Sequence, residues 1–341
     1  MDQRKSILFL SRLYHPHIGG VEKHVSEISK ILIEKGYFIT VITEQIHKKD
    51  RTDVLVDGVR ILRIPIHNNS SIKKFFIWKW IFFNLRIFLS ADVIHIHDVF
   101  YWILPFRLIL VAKKIYITFH GYEGYPIKKR WKIQRKIAEK LTFGSICVGR
   151  FMKKWYNASP SSVIYGGVRL NIKNIAEKNN SALFFGRLDD QTGIKEYMDA
   201  FLLIKKKIPK FKLTIIGEGL LRIKKQEGLK ILPFKKNIDV YLAQSEYIFV
   251  SRYLSFLEAL TFGKKIIATY DNPVKRDYLL MSPYKNFIEI GKTGAEIADI
   301  VLKSIKNKVL FERKAKKGRV WAQKQTWESV VDVYLRLWGL K

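Results

Sequence analysis

Short apolar runs of strand length alternate with helix-length segments along nearly the whole of this 341-residue chain. Residues 6–13 form the first run, and Val21, Val25, Ile28, Ile31 and Leu32 follow at helical spacing. Residues 37–43 and 59–66 read as further strands, the latter entered through an Asp57-Gly58 hairpin turn. An aromatic segment, 72–90, reads as a core helix. After it come a strand at 92–97, a helix at 101–112, a strand at 114–119, a basic helix at 128–143 and a short strand at 145–148. Adjacent parallel strands need a crossover segment between them, so this rhythm predicts parallel sheets with helices on both faces. A second alternation begins with the strand 182–185. It continues through a helix at 193–207 and strands at 212–216, 247–250 and 265–269. The polar run 171–181 separates the two, which places a domain boundary between about residues 163 and 176. The length suits two domains, each able to bury its own core.

Charge is the compositional outlier: 62 Lys and Arg against 30 Asp and Glu give a formal net charge of +32. Such a chain attracts polyanions, whether nucleic acid, an anionic membrane or a nucleoside diphosphate. It carries no zinc-finger, helix-turn-helix or RNP signature, so specific nucleic-acid recognition is not expected. The basic segment 128–141 sets Ile133, Ile137 and Leu141 among Lys and Arg, as interfacial helices do, and points to an anionic membrane surface. A single cysteine, Cys147, excludes an internal disulfide, and its place in an apolar strand makes it a core residue. The start is polar and the first apolar run is too short for a signal peptide, so a cytoplasmic location is expected. Asp189-Asp190 is not an Asp-x-Asp pair, and no divalent ion or other cofactor is expected.

The first strand leads through Gly19-Gly20 into a helix. Residues without Cβ let a phosphate approach the backbone, and the helix N-terminus favours an anion. The longer string is Tyr14-x-Pro16-x-x-Gly19-Gly20-x-Glu22-x-His24. Further on stand Asp92-x-Ile94-His95-x-His97, His120-Gly121, Gly186-Arg187-Leu188 and Leu257-Glu258-Ala259-Leu260. A histidine ending a strand of an α/β sheet, as His120 does, sits where ligands bind. Together these motifs resemble glycosyltransferase family 4, retaining sugar-nucleotide-dependent enzymes of the GT-B fold, over most of the chain.

The resemblance implies two Rossmann-like domains facing across a cleft, an acceptor-side domain at 1–165 and a donor-nucleotide domain at 166–325. A C-terminal helix at 326–341 would cross back to the first. It implies metal-independent, hexosyltransferase-type transfer to a glycan or lipid-linked acceptor in cell-surface glycan or glycolipid synthesis. The enzyme would work at the cytoplasmic face of a membrane. Gly19, Gly20 and Arg187 would hold the donor diphosphate, Glu258 the ribose hydroxyls, and His17, His120 and Glu123 the sugar and acceptor. Arg187 and His120 are the expected catalytic residues. His95 and His97 match a family strand that binds no metal, so both are expected to be structural. Two departures stand out. Thr192 replaces the lysine usual before Gly193, leaving Lys195 as its substitute. The Glu-Gly-Phe segment that carries the first of two glutamates is missing. They leave open a family member that binds a donor or partner without turnover, and the charge leaves open a nucleic-acid-binding protein.

Overall fold

The computed structural model describes residues 4–17, 19–66, 72–169 and 177–341. It divides into two compact units, Met1–Tyr165 with Trp327–Lys341, and Gly166–Thr326.

The first unit is built on strands β1 (Ser6–Ser11), β2 (Phe38–Glu44), β3 (Asp53–Val56), β4 (Val59–Ile64), β5 (Val93–His97), β6 (Ile115–Phe119), β7 (Gly144–Val148) and β8 (Ser162–Ile164). Their order is β3-β4-β2-β1-β5-β6-β7-β8. Every pairing is parallel except the β3–β4 hairpin at the edge. Central strands covered on both faces must be apolar throughout, and β5 and β6 are buried along their whole length. Phe9 lies opposite Val41 on one side and His95 on the other.

Right-handed crossovers decide which face each helix covers. The connection from β1 to β2 runs one way along the sheet; those from β4 to β5, β5 to β6 and β6 to β7 run the other. Helix Gly20–Glu34 therefore lies on one face, where Trp327–Trp338 joins it. Residues 73–90, 100–112 and 129–140 share the opposite face. Two side-chain bonds tie that layer together: Trp78 Nε1 donates to the Tyr101 carbonyl at 2.9 Å, and Arg107 Nε to that of Leu141 at 2.8 Å.

Three segments of that layer depart from the sequence reading. Residues 72–90 form two helices, Lys73–Phe83 and Leu85–Ser90, with the break at Asn84. They are not a core element: only Ile77, Ile81 and Phe88 are buried. A helix lying on a sheet buries one stripe, and Ile77 and Ile81, one turn apart, fill it. Residues 101–112 form two short 3₁₀ turns, Phe100–Trp102 and Leu104–Phe106, with turns beyond. Pro105 lacks the N–H that a longer helix requires. In Lys129–Lys140 the buried residues are Arg135 and Ala138, so Ile133 and Ile137 face outward.

The second unit holds β9 (Lys178–Phe185), β10 (Lys212–Ile216), β11 (Leu229–Leu232), β12 (Ser245–Val250), β13 (Lys265–Ala268) and β14 (Glu289–Ile290). The order β11-β10-β9-β12-β13-β14 is parallel throughout. Tyr197, from helix Ile194–Lys207, stacks on Phe249 with ring centroids 4.7 Å apart, and its hydroxyl donates to the Val250 and Ile267 carbonyls. Helix and sheet are thus joined by one fully buried ring with its polar end satisfied.

Candidate active site

In open parallel sheets ligands bind beyond the C-terminal strand ends, near the point where strand order reverses. In the first unit that point lies between β1 and β5. The neighbouring strands β1, β5 and β6 bring three motifs to one edge: residues 12–17 with Gly19-Gly20, His97-Asp98 and His120-Gly121. Gly19 is the extended residue before helix Gly20–Glu34, which has no side-chain N-cap. A Cβ on Gly20 would meet nothing within 4 Å, while one on Gly19 would overlap Glu22 Oε2, so the Glu22 carboxylate covers Gly19 and leaves Gly20 open. His17 Nδ1 lies 3.2 Å from Glu22 Oε1. That carboxylate in the helix's first turn is placed where the dipole favours it.

Behind His120 is a buried relay. Trp338 Nε1 donates to His95 Nδ1 at 3.0 Å. His95 Nε2 lies 2.8 Å from Thr118 Oγ1, which lies 2.9 Å from the Tyr334 hydroxyl, itself 2.9 Å from His24 Nε2. An indole N–H can only donate, so His95 accepts at Nδ1 and carries its proton on Nε2. The direction then propagates: Thr118 donates to Tyr334, and Tyr334 to His24. Burial pushes His24, His95 and His97 well below the usual histidine range, and neighbouring imidazoles push them further. His95 and His97 are therefore neutral, and the relay fastens the last helix to the first sheet.

His97 Nδ1 lies 2.8 Å from His120 Nε2, and His97 Nε2 is buried with no partner. A bare lone pair there costs less than an orphaned N–H. His97 Nδ1–H then donates to His120 Nε2, which leaves His120 with its proton on Nδ1. Packing, with His95 and Arg135 nearby, lowers His120 to about 3, so it is a neutral hydrogen-bond donor at neutral pH. Its backbone N–H donates to Asp98 Oδ1 at 3.1 Å. Glu123 accepts from Arg135 at 2.8 Å and from the Tyr156 hydroxyl, while Arg135 also donates to the Gly121 carbonyl. Glu123 thus pins the loop that carries His120. Arg135 and Tyr156, its partners, carried no signal in the sequence.

In the second unit the C-terminal edge is built by backbone contact. Leu188 N donates to the Glu218 carbonyl at 2.9 Å, and Leu221 N to that of Leu188 at 3.1 Å. A Cβ on Gly217 would overlap the Gly186 carbonyl oxygen, so only glycine lets the two loops close. Arg187 stands out from this locked turn, 72% exposed, with Nη2 3.2 Å from Asp189 Oδ2. The exposed Lys195 is paired with Asp190 at 2.5 Å. Thr192 faces inward, donating from its hydroxyl to the Asp189 carbonyl at 2.7 Å. Glu258, on helix Tyr253–Thr261, is half-buried while Phe256, Leu257 and Leu260 beside it are fully buried. It lies on the more open side of that helix, not among those apolar neighbours.

Lys275 is a residue the sequence reading missed. It is 1% exposed on helix Pro273–Leu280. Its Nζ donates to the Ser251 carbonyl and, at 3.0 Å, to the Ser251 hydroxyl, at the C-terminal end of β12. Arg252 reaches from the same turn to Gln191 Oε1 at 3.4 Å. Lys275 and Arg252 thus both brace the turn that follows β12. Among the described residues no group of three or more His, Cys, Asp or Glu is placed to hold a metal ion.

Two parallel-sheet α/β units of this kind define the GT-B class of glycosyltransferase. Two family models together span most of the chain: "Glycosyltransferase Family 4" matches residues 18–172 and "Glycosyl transferases group 1" matches 170–321. The chain belongs to these GT-B glycosyltransferases. It is 24% identical to an uncharacterized glycosyltransferase of Methanocaldococcus jannaschii, covering 99% of this chain and 98% of that one. It is 22% identical to the phosphatidyl-myo-inositol mannosyltransferase of Mycobacterium tuberculosis, covering 94% and 93%. Among solved structures, sucrose-phosphate synthase from Thermosynechococcus elongatus superposes with a TM-score of 0.76 at 13% identity, covering 99% and 100%. Anabaena HepE in complex with UDP and glucose does so at 0.69 and 15%, covering 97% and 98%.

Proposed function

We propose that this glycosyltransferase is retaining and metal-independent, and that it moves a hexosyl group from a nucleotide-sugar donor to a glycan or lipid-linked acceptor at a membrane surface. The observation that carries the donor half is Arg187, held outward on a turn locked by Gly217 at the C-terminal edge of the second sheet. HepE was solved with UDP, which supports a nucleoside diphosphate as leaving group. The mannosyltransferase relative is named for a phosphatidyl-myo-inositol acceptor, which supports a lipid-linked one.

In the proposed reaction the bond from the sugar's anomeric carbon to the diphosphate breaks on the face that the acceptor hydroxyl attacks. The acceptor oxygen bonds to that carbon, and its proton passes to the leaving phosphate oxygen. No side-chain base is needed; positioning and charge stabilisation carry the rate. Gly19, Gly20 and Arg187 would take the diphosphate, with Lys195 as an outer cation, and Glu258 the ribose. The neutral His120, as a donor through Nδ1, would order the transferred sugar. His17 and the loop pinned by Glu123 would flank it. No metal ion or other cofactor is assigned a role. The enzyme would be peripheral at the cytoplasmic face of a membrane.

Thr192 in the lysine position favours one second reading, a family member that binds a donor without turnover. A thermal-shift screen of UDP-, GDP- and ADP-sugars, with product analysis, separates them. A ligand at 100 times its Kd adds about 2.7 kcal/mol. Stabilisation with product supports transfer, stabilisation without product supports the second reading, and no stabilisation by any donor overturns both.

A further inference from the structure

The layer formed by residues 73–90, 104–111 and 129–140 leaves much of its apolar surface uncovered. Phe75, Phe76, Phe82 and Phe83 lie on one arc of helix Lys73–Phe83, around Lys79 and opposite the buried Ile77 and Ile81. Phe75 is 69% exposed and Phe83 72%. Leu108, in the next connection of the same layer, is 87% exposed, and Ile133 of the basic helix 58%. Exposed apolar side chains gathered on one layer in this number mark an interaction site.

We propose that this face docks on an anionic bilayer, with the phenylalanines and Leu108 entering the headgroup–acyl boundary and the surrounding lysines and arginines meeting the headgroups. Charge decides the occupant. Residues 72–91 and 99–114 contain no Asp or Glu, and 128–141 contain only Glu139. Exposed cations run through the patch at Lys74, Lys79, Arg86, Lys114 and Lys132. A second copy of the chain would set these against their own kind, which like-charge juxtaposition opposes. An anionic leaflet complements them, and buried apolar area combined with a polybasic surface is the pairing that holds a protein at an interface. Among the described residues no helix is long and apolar enough to cross a membrane. The short helix Lys73–Phe83 suits lying in the interface. This deepens the membrane half of the proposed function and rests on it.

The test is co-sedimentation of the full chain with vesicles of phosphatidylcholine alone and with phosphatidylglycerol added. The wild type should bind the anionic vesicles and release as salt rises. Combining Phe75→Ser, Phe82→Ser and Phe83→Ser should weaken that binding roughly tenfold or more, with an unchanged melting temperature. Leu220→Ser, an exposed change in the other unit, should leave binding alone. Undiminished binding by the triple variant, with loss on changing Lys128, Lys129, Lys132 and Lys136 to Gln, would overturn this surface but keep the membrane reading. No binding by the wild type to anionic vesicles would overturn both.

Discussion

Lys275 and Lys195 are two lysines of the second unit, and their surroundings give them different roles. Lys195 is exposed and already paired with Asp190, where solvent and salt screen it. Lys275 is buried and donates to the Ser251 carbonyl and hydroxyl, so it acts by fixing the turn after β12. Burial holds its pKa well below the usual lysine range, Arg252 adds to that shift, and Asp271 and Asp189 oppose it. Lys275→Met leaves the buried Ser251 acceptors without that donor and should lower stability by about 1–3 kcal/mol, whereas Lys195→Met, an exposed change, should alter it by less than about 0.5 kcal/mol. Urea denaturation of the two variants checks this, and equal stabilities would show that the Ser251 bonds contribute nothing. The buried histidines give a pH prediction at the same scale. An unfolded histidine titrates near 6.5, while His24, His95 and His97 are held far lower in the fold. Below about pH 6.5 the unfolded chain binds protons the folded one does not, so stability falls with pH and is level above it. The slope approaches about 1.4 kcal/mol per pH unit for each such histidine. Urea midpoints measured from pH 8 to 5 should show a plateau, then a fall; a flat profile would mean that these groups protonate in place.

The strand–turn–helix at the start was readable because every level agreed: an apolar strand, two glycines and a helical stripe. Strands ending in His97 and His120 were readable for the same reason. Lys275 was not, because its role comes from burial against Ser251, 24 residues earlier. Nor were the partners of Glu123, since Arg135 looks like one more cation in a basic helix. The aromatic helices at 73–90 misled because apolar content alone does not say whether a sheet has room to bury it. The paired loops after β9 and β10 carry a prediction at this scale. Gly217→Ala should push the Gly186–Leu188 turn away and lower both stability, by about 1–3 kcal/mol, and donor affinity. A denaturation curve and a UDP titration check it; wild-type values in both would show that the loops tolerate separation.

Across the whole molecule, the two sheets each present a C-terminal edge that carries residues proposed for the transfer reaction. The first holds a glycine turn at a helix start and a neutral histidine; the second holds an arginine on a turn closed by glycine, and a buried lysine bonded to Ser251. On the proposed function, the protein turns over a nucleotide sugar without a metal ion, and Arg187 stabilises the departing diphosphate. The most direct measurement is release of nucleoside diphosphate from the donor found in the screen, in excess EDTA, by wild type and Arg187→Ala. The wild type should turn over in chelator, and the folded variant should lose activity on the order of 10²-fold, the scale of one electrostatic donor at a developing charge. Activity abolished by EDTA and restored by Mg²⁺ or Mn²⁺, or equal turnover by the two proteins, would contradict it.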